Sequence, residues 1–145
     1  MIRWLPTLVL AIASTCCALQ PVTAAEAVSA TDAIGVRAVV QAQLDAFAAD
    51  DAARAFSYAS PDLRLAFGSA ERFMAMVRSS YPVVLRPAAV AFAAPEATGA
   101  EILQRVHFTD AGGALWLAIY RLQRQDDNNW RIAGCQLARS RAQAT

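Results

Sequence analysis

The residues that can carry chemistry in this chain are few. It holds one histidine, His107, and of its three cysteines only Cys135 lies outside the amino-terminal segment. A Cys–His pair can act as a nucleophile with its base, whereas a lone cysteine is more often a small buried apolar residue or the partner in an intermolecular disulfide. Because zinc sites usually draw on several of these residues, the supply predicts no metal site and no cofactor.

Carboxylates suited to proton transfer are equally scarce. Such chemistry needs a carboxylate or a histidine in an apolar cavity, together with a donor for the developing oxyanion. Most acids fall where helix capping or turn formation explains them: Asp50, Asp51, Asp62, Glu71, Asp110, Asp126 and Asp127. That leaves His107 as the base, with Tyr58, Tyr81 or Tyr120 as the donor.

The amino terminus has the pattern of a cleavable signal peptide over residues 1–24. Arg3 precedes an apolar run from Leu8 to Leu19, and small residues ending at Ala24 follow it. We expect cleavage before Ala25, or one residue further on, and a periplasmic or secreted protein. A lipoprotein anchor is the poorer alternative, because Ser and Thr precede the first cysteine of the run.

The charge of the remaining chain excludes some partners. All 13 basic residues are arginines, and Arg3 leaves with the peptide, so the mature charge against 12 acids is zero. Without a basic patch we expect no nucleic-acid partner, and no membrane association after cleavage. The predicted organisation is a disordered leader at 25–31, one domain at 32–139 and a disordered tail at 140–145.

The first half of that domain is predicted to be helical. Thr31 or Asp32 caps a helix whose apolar residues recur at helical spacing: Val36, Val40, Leu44 and Phe47. Three more helices follow between local start and stop signals: Asp51 to Tyr58, Ser60 to Gly68, and Ser69 to Tyr81.

The second half is predicted to be extended. Its segments are Val83 to Phe92, Glu101 to Phe108, Leu115 to Gln123 and Trp130 to Leu137. Turn residues at 110–113 and 127–129 separate the last three. Helices first and an antiparallel meander second predict an α+β fold.

Hairpins centred on Ala111-Gly112 and Asn128-Asn129 would set the two faces of the sheet. Helices should cover a first face made of Ile102, Val106, Phe108, Leu115, Leu117, Ile119, Trp130 and Ile132. The second face would carry Leu103, Arg105, His107, Trp116, Ala118, Tyr120, Leu122, Cys135 and Leu137. Because that face is too apolar for a monomer surface, we expect a homodimer or a ligand to cover it. A slip of one residue would exchange the faces.

Several landmarks together resemble a known family. They are Phe67-Gly68, Phe73, Met76-Val77, Tyr81-Pro82, Arg86-Pro87 and the closing Trp130-Arg131-Ile132-x-Gly134-Cys135-x-Leu137. Over residues 34–139 this set resembles the bacterial exported family called domain of unknown function 4864. The resemblance implies a cone-shaped architecture similar to nuclear transport factor 2 and the cystatins, with helices on a curved antiparallel sheet. That superfamily holds isomerases, dehydratases, epoxide hydrolases and binding modules, so the fold selects no function.

Two functional hypotheses remain open. The first is a non-catalytic module that binds a small apolar molecule or assembles with itself. Its candidate contacts are Arg105, His107, Trp116, Tyr120, Tyr81 and Arg86. The alternative is a pocket enzyme of the isomerase or dehydratase kind, with His107 or a buried carboxylate as base. The sequence assigns no catalytic residue.

Overall fold

Residues 26–141 are described here from a computed structural model of the chain. Helices come first: α1 (Ala30–Ala48), α2 (Ala52–Ser57), α3 (Pro61–Phe67) and α4 (Ala70–Ser80). A 3-10 turn at Pro82–Val84 leads to β1 (Ala89–Phe92), β2 (Glu96–Thr98), β3 (Glu101–Thr109), β4 (Leu115–Arg124) and β5 (Trp130–Arg139). The predicted α+β fold is therefore confirmed. The predicted signal peptide and the end of the predicted tail lie outside the described residues.

Local side-chain chemistry sets the ends of the helices. A side chain just before each helix accepts a backbone N–H of its first turn: Ser29, Asp51, Ser60 and Ser69. The last three confirm the predicted helix starts. The first helix begins before the predicted cap, because Ser29 Oγ accepts the Asp32 N–H at 3.1 Å. Gly68 ends α3 in the left-handed region with φ 79°, as glycine allows.

The sheet is antiparallel, with β1, β3, β4 and β5 side by side and β2 paired to β3 on the same edge as β1. The predicted extended segment from Val83 to Phe92 is wrong in its first half. Val84 and Leu85 donate their N–H groups to Tyr81 and Pro82, which closes a 3-10 turn there instead. The short strand β2 was not predicted.

The β3–β4 hairpin is one residue longer than predicted. Asp110 N donates to the Ala114 carbonyl at 2.9 Å, and Gly113 takes the left-handed position of a three-residue loop with φ 83°. His107 therefore lies opposite Leu117 and not opposite Trp116. Since a slip of one residue exchanges the faces, the predicted faces of β4 are reversed.

The β4–β5 hairpin also departs from the predicted register. Gln125 N donates to the Asn129 carbonyl, and Asn128 has φ 63°, so this loop too contains one left-handed residue. A bulge then leaves Ala133 without an opposite residue. Its effect is to set Cys135 opposite Tyr120, where the prediction had Leu122.

The inner face is the sheet face that the helices cover. It carries Ile102, Gln104, Val106, Phe108, Trp116, Ala118, Tyr120, Leu122, Trp130, Ile132, Cys135 and Leu137, which are buried or packed against the core. The outer face carries Leu103, Arg105, His107, Leu115, Leu117 and Ile119. The prediction was right for β3 and wrong for β4. On β5 it was right for Trp130 and Ile132 but wrong for Cys135 and Leu137, which the bulge brings to the inner face. The surface on which a dimer was predicted therefore does not exist as such.

The hydrophobic core lies between the inner face and one side of α1 and α4. Val36 and Val40 of α1 are fully buried there, as are Val106 and Phe108 of β3. None of the described helices is long and apolar enough to cross a membrane.

Candidate functional site

A cavity of about 230 Å³ lies between the helices and the β4–β5 side of the inner face. Its helical wall is apolar and comes from Phe47, Leu63, Phe67, Phe73, Met76 and Val77. Tyr120, Ile132 and Cys135 form its floor on the sheet, and Tyr81 and Val84, which follow α4 in the chain, also line it. This space is called the cavity from here on.

One end of the cavity is aromatic. The ring of Phe73 lies 6.0 Å from that of Phe47 and 5.3 Å from that of Phe67, centroid to centroid. The Phe67 contact is edge-to-face at 72°. Aromatic rings prefer such tilted contacts, so this end can accept a further ring at little cost in packing.

Helix α3 forms one wall of the cavity. Leu63 and Phe67, four residues apart, share one side of this helix and line the cavity, and both are partly exposed. On another side Leu65 is 80% exposed. Helix α3 buries none of its residues fully, and the cavity that it lines is partly open to solvent.

The other end of the cavity holds two phenols and a thiol. Tyr81 Oη donates to the Cys135 carbonyl at 3.4 Å, a long hydrogen bond. Tyr120 lies opposite Cys135 in the strand pairing, and the thiol donates a hydrogen bond to the Gln136 carbonyl at 3.8 Å. The Tyr120 side chain is buried, whereas Tyr81 and Cys135 are partly exposed.

Burial governs the acidity of this cluster. Removal from water raises the pKa of the Cys135 thiol to about 12, although the nearby Tyr120 hydroxyl opposes the rise. Burial likewise raises the pKa of Tyr120 well above its usual value, and the neighbouring thiol adds to this. Both groups are therefore protonated at neutral pH, and the thiol is a poor nucleophile.

Gln43 of α1 is a further polar group at the cavity wall. It is buried, and its Nε2 donates to the Ala55 carbonyl at 3.2 Å. This bond holds α1 to α2 and fixes the amide beside the cavity. It uses one of the two N–H groups that the amide carries.

The structure brings together two of the six predicted contact residues. Tyr81 and Tyr120 both line the cavity. Trp116 shares the inner face with Tyr120, but its Nε1 donates to Asp110 Oδ2 at 2.9 Å in the hairpin turn, and it does not line the cavity.

The other three predicted residues lie elsewhere. Arg105 and His107 are on the outer face, where Arg105 pairs with Glu96 and His107 is exposed opposite Leu117. Arg86 is exposed in a separate surface groove beside α1. Arg105 and His107 lie on the opposite face from Tyr120 because the β3–β4 hairpin loop contains one residue more than predicted.

The cavity lining offers little for acid–base or metal chemistry. Within residues 26–141, no Asp, Glu or His lines it. In the same part of the chain no three His, Cys, Asp or Glu side chains form a group that could hold a metal ion. Its polar atoms are neutral hydroxyl, thiol and amide groups, which can hydrogen-bond a ligand.

Comparison with known protein families shows which family the chain belongs to. The model for Domain of unknown function (DUF4864) matches residues 29–145. The chain belongs to this family. All the elements described above lie within the matched range, so the cavity is part of the family domain.

Other comparisons add nothing further. No curated protein and no solved structure matches the chain. The likeness to the nuclear transport factor 2 architecture therefore stays a prediction, whereas membership of the family confirms the resemblance found from the landmarks.

Sequence reasoning missed the helical wall of the cavity. In the sequence, its residues look like ordinary core residues: Phe47, Leu63, Phe67 and Phe73. The spacing of apolar residues along one helix does not show which other element packs against that helix. One signal was present. Gln43 stands between Val40 and Phe47 on an otherwise apolar stripe, and a polar residue there marks an unusual part of the core.

Proposed function

We propose that this domain binds a small, neutral, apolar molecule in its cavity and does not catalyse a reaction. The observation that carries the proposal is a cavity of about 230 Å³ with a mostly apolar lining. A dry protein cavity of about 150 Å³ is enough to bind benzene. Scaling by volume gives a ligand of about nine non-hydrogen atoms.

The neutral lining supports an uncharged ligand. Among the described residues, none that lines the cavity carries a formal charge. A carboxylate or ammonium group would lose its hydration there without gaining a counter-ion, at a cost of several kcal/mol. Neutral molecules are free of that cost.

The same features weigh against the alternative of a proton-transfer enzyme. Its predicted base, His107, is exposed on the outer face, and no described carboxylate lines the cavity. The remaining candidate, Cys135, is held protonated because burial raises its pKa to about 12. No group in the cavity is thus poised to take a proton at neutral pH.

Titration calorimetry with indene, an uncharged hydrocarbon of matching size, tests the proposal. The protein should bind one indene with a dissociation constant of roughly 0.1 to 1 mM. Leu63→Trp places a larger side chain on the cavity side of α3 and should abolish binding. The matched control is Leu65→Trp, on the exposed side of the same helix, which should bind indene as the parent does.

Two results would contradict the proposal. One is no indene binding by the parent protein. The other is equal binding by the parent and by folded Leu63→Trp, which would place indene outside the cavity.

The outer face supports a second candidate, self-assembly into a homodimer. Leu103, Leu117 and Ile119 are only partly exposed there, Leu115 is 44% exposed, and no described helix covers this face. Such a sheet face is more apolar than a solvated one. Leu117→Asp should convert a dimer into a folded monomer in solution-mass measurements, and Thr31→Asp at the exposed start of α1 should not. A monomeric parent would refute this candidate.

The signal-peptide pattern of residues 1–24 supports a further part of the proposal, that the domain works outside the cytoplasm. The mass of the mature protein in a periplasmic fraction tests it. Cleavage before Ala25 or one residue later is expected, and an uncleaved cytoplasmic chain would contradict it.

A further inference from the structure

We infer that the ligand is a neutral, planar aromatic molecule of about nine non-hydrogen atoms that donates one hydrogen bond, as an indole or a small phenol does. This inference rests on the proposed function and names the ligand class of the same cavity. Three features carry it: the aromatic end, the polar end and the size.

The aromatic end selects a planar ring. Phe47, Phe67 and Phe73 surround it with rings at centroid distances of 5.3 and 6.0 Å, one pair being edge-to-face. A ligand ring can join this cluster through further tilted contacts, which add to the burial of apolar area. A saturated molecule of equal size gains only the free energy of burying its apolar surface.

The polar end favours a ligand that donates a hydrogen bond. The Tyr81 proton is directed to the Cys135 carbonyl, and the Cys135 thiol proton is directed to the Gln136 carbonyl. A phenol that donates its proton keeps lone pairs on its oxygen, and these accept hydrogen bonds. Tyr81 is the more accessible of the two phenols, since it is partly exposed and Tyr120 is buried. A ligand N–H or O–H at this end therefore finds an acceptor at Tyr81 Oη.

The two ends lie in one small space. Tyr81, Phe73 and Tyr120 all line the same cavity of about 230 Å³. A bicyclic ring, or a benzene ring with a short substituent, matches this volume.

Three probes of nearly equal size separate these requirements. Indole is aromatic with an N–H donor, indene is its counterpart without the donor, and hydrindane is the saturated hydrocarbon. By calorimetry the protein should bind indole about three- to tenfold more tightly than indene, as one neutral hydrogen bond predicts. Indene should bind about two- to tenfold more tightly than hydrindane.

Variants assign the donor contact to one atom. Tyr81→Phe removes the acceptor oxygen and should reduce the preference for indole over indene to about one, while indene still binds. The matched control, Tyr58→Phe, changes a tyrosine outside the cavity and should retain the preference. Comparison of the three probes on the parent protein keeps the inference testable even if Tyr81→Phe does not fold.

The outcomes distinguish this inference from the proposed function. Equal binding of indole and indene would overturn the donor contact, and equal binding of indene and hydrindane would overturn the aromatic preference. Neither result would contradict the proposal that a small molecule binds in the cavity. A preference for indole that survives in folded Tyr81→Phe would overturn the assignment to Tyr81. Failure of all three probes to bind would refute the proposed function and the inference together.

Discussion

Tyr120 and Cys135 stand opposite each other on β4 and β5, with the phenol of one beside the thiol of the other at the floor of the cavity. The bulge at Ala133 produces this pairing, because it moves the end of β5 by one residue and turns Cys135 inward. The pair places two protonated polar groups in an apolar space.

Cys135 should react slowly with alkylating reagents. The thiolate is the reactive form, and with a pKa near 12 it is scarce at pH 8. Peptide mass spectrometry should show Cys135 alkylated at least about a hundredfold more slowly in the native protein than in denaturant. Equal rates in the two states would show that the thiol is neither buried nor protonated.

Stability should fall at alkaline pH because of the same pair. The unfolded thiol loses its proton near its ordinary pKa of 9.0, whereas the folded thiol keeps it to about 12. Between these values the unfolded state binds fewer protons, so the free energy of unfolding falls by up to about 1.4 kcal/mol per pH unit for this group. Tyr120, whose pKa is also raised, adds a decline of the same sign above pH 10.

Denaturant titrations from pH 8 to 11 measure this decline. Cys135→Ala and Tyr120→Phe should each make it shallower, whereas Tyr58→Phe, outside the cavity, is the control. An unchanged slope in Cys135→Ala would contradict the burial of its thiol.

Asp110 should stabilise the β3–β4 hairpin through its charge. Its carboxylate accepts hydrogen bonds from Trp116 Nε1 and from the backbone N–H groups of Ala114 and Gly112, which hold the pKa of Asp110 below its usual value. The stabilisation is therefore present above pH 3.8 and is lost as the pH falls through the lowered pKa.

Thermal denaturation of Asp110→Asn measures this effect. The variant should have a lower Tm than the parent at pH 7, and the difference should narrow below pH 3.8. Asp126→Asn, an exposed turn residue of the other hairpin, is the control and should lower the Tm less. A Tm difference that is constant down to pH 2.5 would show that the charge does not contribute.

Substitution of Gly113 should destabilise the protein more than substitution of Gly112. With φ 83° it occupies the left-handed region, so Gly113→Ala should lower the free energy of unfolding by about 1 kcal/mol. Gly112→Ala is the matched control, because a Cβ there would meet Asp110 Oδ1 at an ordinary 3.4 Å. A larger loss at Gly112 would favour the two-residue loop and the other register.

The helical half of the fold could be predicted because its signals are local. Ser60 and Gly68 mark the two ends of α3 by side-chain and backbone chemistry that acts within four residues. Ser69 does the same at the start of α4. Such signals need no knowledge of what the helix packs against.

The faces of the sheet could not be predicted in the same way. Whether Gly113 adds a left-handed residue to the loop changes the register by one, and every side chain of β4 then changes face. Gly112 and Gly113 can both adopt that conformation, so the sequence does not choose between the registers. Packing chooses, because it buries Tyr120 and Leu122 under the helices.

The cavity was beyond prediction for a related reason. Phe47, Phe67 and Phe73 come from three different helices and meet only in the folded domain. Tyr81 was predicted as a ligand contact, and it does line the cavity. Its partner Cys135 reaches the cavity only through the bulge, which the strand pattern does not reveal.

The most direct test of cavity binding is a crystal structure of the protein grown with indole at saturating concentration. We expect one indole molecule inside the cavity, with its ring against Phe73 and its nitrogen within 3.2 Å of Tyr81 Oη, a distance of roughly hydrogen-bond length. A cavity that stays empty, or that is filled by the protein's own side chains while indole is saturating, would contradict it.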